Sequence, residues 1–539
     1  MSKKLRWGIL ATGRIAGVFA NGVKDSRTGE LVAVGSRSSV SAEAFADEHG
    51  VPNRHGSYDD LIGDPQVDAV YVATPHPMHA MWAIRAAEAG KHVLCEKPLG
   101  LNHAQAMAVV EAAREHGVFL MEAFMYRCHP QTLKLAELIR EGAIGDVKMI
   151  QTAFSFCAAL NDRTRQGRVY NNRLGGGGIL DMGCYPVSLS RLVAGAAAGK
   201  PFADPVDMYG AGHVCETHVD AYAAALLRFD ADIIAQVSCG VALTQDSTVR
   251  VYGSTGSIVV PSAYSPARDG GTVEFQLNRN GETEVIEVKT DRHLYSFEAD
   301  MVADSLPGQQ ATSPAMTWDD TLGNMKVLDQ WRRDLGFDYE HERPDVFIAP
   351  LHGRPLSRRD GHTMKYGCIG GLDKNVSRFI MGCDNQTTFA HAAVMFDDWY
   401  ERGGNAFDTA HLYGGGRTER LLGQWLRTRG VRDQTTVVVK GAHTPHCDPD
   451  SITEQLHESL DRLQIESAVL SATTFCTSVR EFSPLGGCDG STKMAPLGRF
   501  REPGDRFGSR SVVRTRVAGR QGLHHGFRCG YSRLAWLNW

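Results

Sequence analysis

The sequence predicts an α/β protein of several modules, and three observations carry that prediction. Over the first 130 residues short apolar runs alternate with helical patterns, as in parallel strands joined by crossover helices. From Ala221 to Val288 strand-like runs follow one another with only turns between them, as in an open, mostly antiparallel sheet. After a Pro- and Arg-rich stretch a second βα alternation begins, and it stops before a barrel could close.

At 539 residues the chain has the length of roughly three to four ordinary domains. It is 42% hydrophobic and 22% charged with a net charge of −5, a balance with no general attraction for nucleic acid or anionic membrane. No apolar run reaches the length of a membrane span, and Met1 to Trp7 enters a strand without a leader-like stretch. The 12 cysteines are scattered from Cys95 to Cys529 with no C-x-x-C pair, so free thiols and a cytoplasmic location are expected.

The organising stretch is Lys91-His-Val-Leu-Cys-Glu-Lys-Pro-Leu99, where an apolar run delivers Glu96 and Lys97 to a sheet edge. Pro98 ends the strand and fixes its φ, giving the lysine a rigid mount. Upstream, the strand from Leu5 to Leu10 leads into Ala11, Thr12, Gly13, Arg14 and Ile15 and then a helix, an arrangement that cradles a pyrophosphate. Ala11 and Ala16 stand where the first and third glycines of G-x-G-x-x-G would be, so Gly13 alone gives close backbone access.

The second strand, Leu31 to Val34, ends in Ser36, Arg37 and Ser38 where an acidic residue would select NAD. A guanidinium pairs with a phosphate, so NADP is expected in preference to NAD. The strand from Val67 to Ala73 ends in Thr74-Pro75-His76-Pro-Met-His79, read as a loop over the nicotinamide. Prolines break any metal-binding helix geometry at the two histidines, and no carboxylate or cysteine stands nearby, so no metal is expected.

The motifs Gly8-x-x-Ala-x-Gly-x-Ile-Ala16, Thr74-Pro-His-x-x-His79, Cys95-Glu-Lys-Pro98 and Met121-Glu-Ala-Phe124 resemble, in order and spacing, those of the Gfo/Idh/MocA oxidoreductases. The branch most similar contains the dimeric dihydrodiol dehydrogenases, which also act as NADP-dependent D-xylose dehydrogenases. The resemblance runs from about residue 5 to 340. It implies a Rossmann dinucleotide-binding domain over 1–130 and a substrate and dimerisation domain of α+β type over 131–343.

In the second of these domains Leu174-Gly-Gly-Gly-Gly-Ile-Leu-Asp-Met-Gly-Cys-Tyr185 combines a glycine turn with Asp181 and Tyr185 at helical spacing. The resemblance implies that Lys97, Asp181 and Tyr185 form the catalytic set, with Tyr185 as acid/base. Electrostatics adds the expectation that the Lys97 cation lowers the Tyr185 pKa from its ordinary value of about 10. The open sheet, one apolar face uncovered, is expected to make a homodimer, and helices near 295–303 and 318–335 to pack back on the first domain.

A linker is expected over 344–364. Residues 365–467 resemble the opening of an aldo-keto reductase barrel, with Asp408-Thr-Ala-x-x-Tyr413-Gly followed by a strand ending at Lys440. That resemblance implies a tyrosine proton donor tuned by lysine and aspartate. Only three βα units are legible and no histidine follows in the next strand, so Asp408, Tyr413 and Lys440 are read as a vestigial second site. The remainder, 468–539, is rich in Arg and Gly without apolar period and is read as an irregular tail.

The chain is thus expected to be an NADP-dependent dehydrogenase or reductase acting on a sugar, polyol or cyclic diol, without nucleic-acid or membrane partners. Two alternatives stand beside this. One is a redox-neutral, dinucleotide-dependent glycosidase on the same fold; the other is a non-catalytic sugar or nucleotide sensor.

Overall fold

The structure, a computed structural model, describes residues 4–441, 445–446, 448–472 and 513–516. The chain divides into two compact units, Met1–His341 and Glu342–Trp539. No helix among the described residues is long and apolar enough to cross a membrane.

The first unit opens with β1 (Leu5–Leu10), α1 (Arg14–Lys24), β2 (Gly29–Gly35), α2 (Ser39–His49), β3 (Asn53–His55) and α3 (Tyr58–Gly63). It continues with β4 (Ala69–Val72), α4 (His76–Glu88), β5 (His92–Glu96), α5 (His103–Glu115) and β6 (Leu120–Ala123). All six strands are parallel, in the order β3-β2-β1-β4-β5-β6. Helices cover both faces, so the central strands read as continuous apolar runs: Val70, Tyr71, Val72, Val93, Leu94 and Cys95 are all fully buried. The strand order reverses between β1 and β4, and ligands of such sheets bind beyond the carboxyl ends at that point.

The chain then forms α6 (Pro130–Arg140), β7 (Val147–Ser155) and α7 (Asp162–Gln166), followed by a π-helical turn, Ile179–Gly183, that runs into α8 (Cys184–Ala197). After it come β8 (Asp207–Val214), β9 (Asp220–Arg228), β10 (Ile234–Gly240), β11 (Val249–Gly253), β12 (Gly256–Val260), β13 (Gly271–Arg279) and β14 (Glu282–Thr290). With β7 they make an eight-stranded sheet, β14-β13-β12-β11-β7-β10-β9-β8, in which only β7 and β10 pair in parallel. Along β9 the alternation is clean: Ala223, Ala225 and Leu227 face the core while Tyr222, Ala224 and Leu226 face out. Strand β8, with two glycines and largely exposed, carries no apolar alternation and is the one the sequence does not announce.

Helices α9 (Leu294–Asp304) and α10 (Trp318–Leu335) return to the first domain, as the sequence predicts. On α9, Asp300 accepts hydrogen bonds from the hydroxyls of Ser26 (2.6 Å) and Thr28 (2.7 Å) and from the N–H of Arg27 (3.0 Å). On α10, Asp320 lies between two fully buried guanidinium groups. It accepts from Arg127 Nη2 at 2.6 Å and from Arg191, whose Nη2 also reaches Asp204 at 2.7 Å.

Removing one partner of a buried ion network leaves uncompensated charge, which costs about 3–5 kcal/mol. Asp320→Ala is therefore expected to destabilise the first unit by that amount, read as a lower midpoint in urea unfolding. An unchanged midpoint would show that the network contributes nothing to the fold.

The second unit has a hairpin of β15 (Tyr366–Cys368) and β16 (Asn375–Ser377), then β17 (Met381–Gly382), α11 (Phe389–Glu401), β18 (Ala406–Ala410) and α12 (Arg417–Arg429). These are followed by β19 (Thr436–Gly441), α13 (Pro449–Leu463), β20 (Ser467–Ala472) and β21 (Val513–Arg516). Strands β17 to β20 are parallel and β21 is antiparallel to β20, giving an open five-stranded sheet with no closed barrel among the described residues. The unit has its own core, with Phe396, Phe407, Leu422 and Trp425 fully buried. Strand β20 carries regular structure five residues past 467, where Val469 and Leu470 bury against β19. Apart from that strand and β21, the tail lies outside the described residues.

Candidate active site

Lys97 leaves the carboxyl end of β5 and is buried. Its Nζ donates to the Asp181 backbone oxygen at 2.7 Å and to Asp181 Oδ1 at 3.0 Å, and lies 5.0 Å from the centre of the Tyr185 ring. The three residues expected to act together thus meet in one place. Asp181 sits in the π-helical turn and Tyr185 in the first turn of α8, an insertion of a kind frequent at functional sites.

Gly177, at φ 104°, lies two residues before this turn in a conformation that side chains rarely adopt, and a Cβ there would collide with the Asp220 carboxylate. Asp220 Oδ2 accepts the N–H of Ile179 at 2.7 Å, two residues before Asp181. Burial pushes the Asp220 carboxyl up to about 7.

A residue absent from the sequence reading completes the charge pattern. Arg168 donates through Nη1 to Asp181 Oδ2 at 2.6 Å, while its side chain stays about half exposed. Burial alone would raise the Asp181 pKa, but Lys97, Arg168 and His76 outweigh it and hold the carboxyl well below the usual range. For Lys97, burial pulls downward and Asp181, Cys184 and Glu96 more than compensate, so the ammonium is held above the ordinary lysine value. No motif announced Arg168, because it lies between α7 and the glycine turn in chain without periodicity.

The expected tuning of Tyr185 is overturned. Burial, with Cys184, Glu96, Asp181 and Tyr126 adding to it, holds the phenol well above its ordinary pKa. The reason is geometric: the Lys97 ammonium bonds to Asp181 and meets Tyr185 only at the ring, while the hydroxyl donates to Met125 Sδ at 3.8 Å. Phe124, Phe154 and Tyr264 stand around that ring with centroids 5.0–5.5 Å away.

The cofactor positions gather at the carboxyl ends of β1, β2, β4 and β5. Ala11 adopts φ 95°, which explains why glycine is usual there, and Thr12 follows it into the turn. Gly13 opens α1 with no side-chain cap, the space above it is open, and Arg14 and Ile15 form the first helical turn. Free N–H groups at a helix start with room above suit a pyrophosphate. The Thr74 hydroxyl is buried without a partner at the end of β4, as suits a site awaiting a polar group. These features fit a dinucleotide.

Other positions carry local duties. Ser38 caps α2, accepting the N–H of Ser41, and the Ser36 hydroxyl accepts the N–H of Ser38 at 3.4 Å. Arg37 is exposed just past β2, beside Tyr58, whose pKa burial raises against the pull of that guanidinium. Glu96 accepts a hydrogen bond from the Tyr71 hydroxyl, and burial raises its carboxyl. His76 Nδ1 donates to the Gly175 oxygen at 2.9 Å; Pro75 is the residue before α4, and His76 to His79 form the first turn of that helix instead of the expected loop, since Pro77 sits where a helix has no intrahelical use for its N–H. His79 spans two loops, with Nδ1 2.7 Å from the Pro98 oxygen and Nε2 2.7 Å from the Thr74 oxygen. Burial holds His76 down to about 3, so it is neutral at physiological pH; burial also lowers His79, to about 4, against the pull of the two carbonyl oxygens, which favour the ring protonated.

In the second unit Lys440 Nζ stands 2.7 Å from Asp408 Oδ2 and donates to the Tyr413 hydroxyl at 2.5 Å. The second set expected from the sequence is therefore assembled around the ends of β18 and β19.

Comparison with known proteins agrees with these shapes. Residues 5–124 match the oxidoreductase family with NAD-binding Rossmann fold, 132–259 the Gfo/Idh/MocA C-terminal domain and 379–469 the aldo/keto reductase family. The third match begins 14 residues after the expected start at 365 and runs two residues past the expected end at 467, into β20. A trans-1,2-dihydrobenzene-1,2-diol dehydrogenase of Xenopus laevis is 32% identical over 340 residues, covering 62% of this chain and 99% of that protein. That of Mus musculus is 30% identical over 349 residues, covering 63% and 99%. Among solved structures, a 3-ketoreductase from Actinomadura kijaniata in complex with NADP and TDP-benzene is 27% identical. It superposes with a TM-score of 0.53 over 62% of this chain and 98% of its own. An aldose-aldose oxidoreductase from Caulobacter crescentus, 24% identical, shares the fold with a TM-score of 0.55 over 62% and 97%.

Proposed function

The chain belongs, through its first unit, to the Gfo/Idh/MocA oxidoreductases, and from that premise we propose that it moves a hydride between NADP and a CH–OH carbon of a sugar, polyol or cyclic diol. The observation that carries the proposal is the convergence of Lys97, Asp181 and Tyr185 beyond β5, at the same carboxyl-end edge of the parallel sheet as the turn that opens α1. A bound nicotinamide supplies the hydride donor or acceptor. The protein supplies the rest.

Lys97, charged and fixed by Asp181, holds the substrate oxygen by a charge-assisted hydrogen bond and stabilises negative charge growing on it. Tyr185, protonated because burial raises its pKa, gives the proton to that oxygen in reduction and is left as phenolate; oxidation is the reverse step and starts from that phenolate. Arg168, half exposed, keeps Asp181 ionised and carries further N–H donors with which to meet a substrate. The aromatic ring cluster around Tyr185 excludes water and presents an apolar wall to a ring-shaped substrate.

Arg37 selects the cofactor by pairing with the 2′-phosphate, which the NADP-bound ketoreductase relative supports as a choice. A charged hydrogen bond of this kind contributes about 1.5–3 kcal/mol, roughly 10–100-fold. Arg37→Ala is expected to raise KM for NADP by that factor at its lower end, since the side chain is exposed, while KM for NAD changes little. Equal losses with both cofactors would remove Arg37 from selection. The outer face of the sheet exposes Tyr209, Tyr222, Leu226 and Ile234, an apolar surface suited to a second copy of the chain.

The test of the function is nicotinamide absorbance of the purified protein with NADP or NAD against pentoses, hexoses, inositols and cyclic diols, and with NADPH against their carbonyl forms. Turnover with NADP on one of these classes is expected. No absorbance change with either cofactor across the panel would contradict the proposal.

A further inference from the structure

The Lys97 loop is held by a residue that no part of the reaction uses directly. Pro98 has no N–H, so the first backbone donor after Lys97 is that of Leu99, and it is buried. Glu122 on β6 meets it: Oε1 accepts the Leu99 N–H at 2.9 Å, and Oε2 accepts the Thr321 hydroxyl of α10 at 2.8 Å. Glu122 is 2% exposed and Thr321 3%. A carboxyl at an inward strand position costs free energy that an apolar side chain would not, so its place there calls for a partner it serves.

We propose that Glu122 is a positioning residue for Lys97, fixing the backbone two residues beyond the ammonium and tying it to α10 through Thr321. The inference rests on the reading of Lys97 as the group that holds the substrate oxygen. His79, 2.7 Å from the Pro98 oxygen, holds the same loop from the β4 side, so the peptide unit joining Pro98 to Leu99 is held at both its oxygen and its nitrogen.

The carboxyl is also sensitive to pH. The charged and titratable groups bearing on it are Asp320 of α10, which raises it, and Arg127, which lowers it; the thiols of Cys95 on β5 and Cys184 on α8 feel its charge in turn. Burial outweighs the hydrogen bonds and places Glu122 at about 7. A carboxyl whose folded pKa lies above its unfolded value stabilises its surroundings at low pH and ceases to as pH rises through the folded value. Above neutrality the ionised carboxylate accepts both hydrogen bonds more strongly, but its desolvated charge destabilises the folded surroundings of the loop.

The test compares Glu122→Gln, Glu122→Ala and Thr321→Val with the wild type in full-length protein. Glu122→Gln, whose amide oxygen still accepts the Leu99 N–H, is expected to keep kcat within about threefold at pH 6. Glu122→Ala is expected to lose ~10²-fold in kcat, the scale of a misplacement of about 1 Å, with KM and NADPH affinity little changed. The fall in kcat above pH 7 should be smaller in Glu122→Gln, what is left being the share of Asp220. Thr321→Val removes a donor to the ionised carboxyl, so the alkaline fall should move to higher pH; this variant decides the matter if Glu122→Ala does not fold. A wild-type kcat in Glu122→Ala, or pH profiles of Glu122→Gln and Thr321→Val that overlay the wild type, would overturn the proposal. Those outcomes leave a catalytic Lys97 standing, whereas an active Lys97 variant would remove the reading beneath it.

Discussion

Replacing Lys97 by methionine is expected to lower kcat by ~10²–10⁴-fold, the range that a positioned proton-handling or charge-stabilising group contributes. Methionine fills the space of the lysine stem, so no large cavity opens. Asp181 keeps its bond from Arg168 at 2.6 Å and stays ionised. The loop keeps its shape because His79 and Glu122 hold it through the backbone atoms of Pro98 and Leu99, with no contribution from the ammonium. Cofactor affinity should therefore change by no more than about threefold, measured by quenching of protein fluorescence with NADPH, while steady-state kinetics record the loss. Wild-type kcat in this variant would show that the lysine is only a buried ion-pair partner.

Tyr185→Phe is expected to reduce kcat by a comparable ~10²–10⁴-fold while stability stays within about 1 kcal/mol. The hydroxyl makes a single weak contact, to Met125 Sδ, and the ring contacts with Phe124, Phe154 and Tyr264 survive the substitution. The protein should fold as before and bind NADPH as before. What is lost is the proton source. A variant that turns over at the wild-type rate would pass that role to Lys97, whose ammonium lies 5.0 Å from the ring centre.

The parts of the fold that were legible are those whose residues face one environment throughout. Parallel strands such as β4 and β5, buried on both faces, read as unbroken apolar runs, and β9 reads as alternation because one face of its sheet is open. Strand β8 gave no such signal, since its glycines and exposed positions carry no period.

In the site, Lys97 was legible because Pro98 ends its strand, and Asp181 with Tyr185 because glycines precede them at helical spacing. Arg168 was not, as nothing local marks a loop arginine that reaches across to an aspartate 13 residues away. The electrostatic relation between Lys97 and Tyr185 failed for the same reason: proximity was readable, but which atom of the ring the ammonium meets depends on Asp181 competing for it. Likewise Glu122 was seen as part of a motif, while its hold on Leu99 emerges only when β6 and the end of β5 lie side by side.

The most direct measurement follows the hydride itself, using NADPH carrying deuterium at the transferable C4 position and a carbonyl substrate found in the absorbance panel, with the product analysed by mass spectrometry. The account predicts one deuterium on the new carbinol carbon of the product and stoichiometric NADP, with both signals lost in Tyr185→Phe and Lys97→Met. Product formed with the deuterium still in the cofactor would contradict it and point to redox-neutral chemistry in the same cleft.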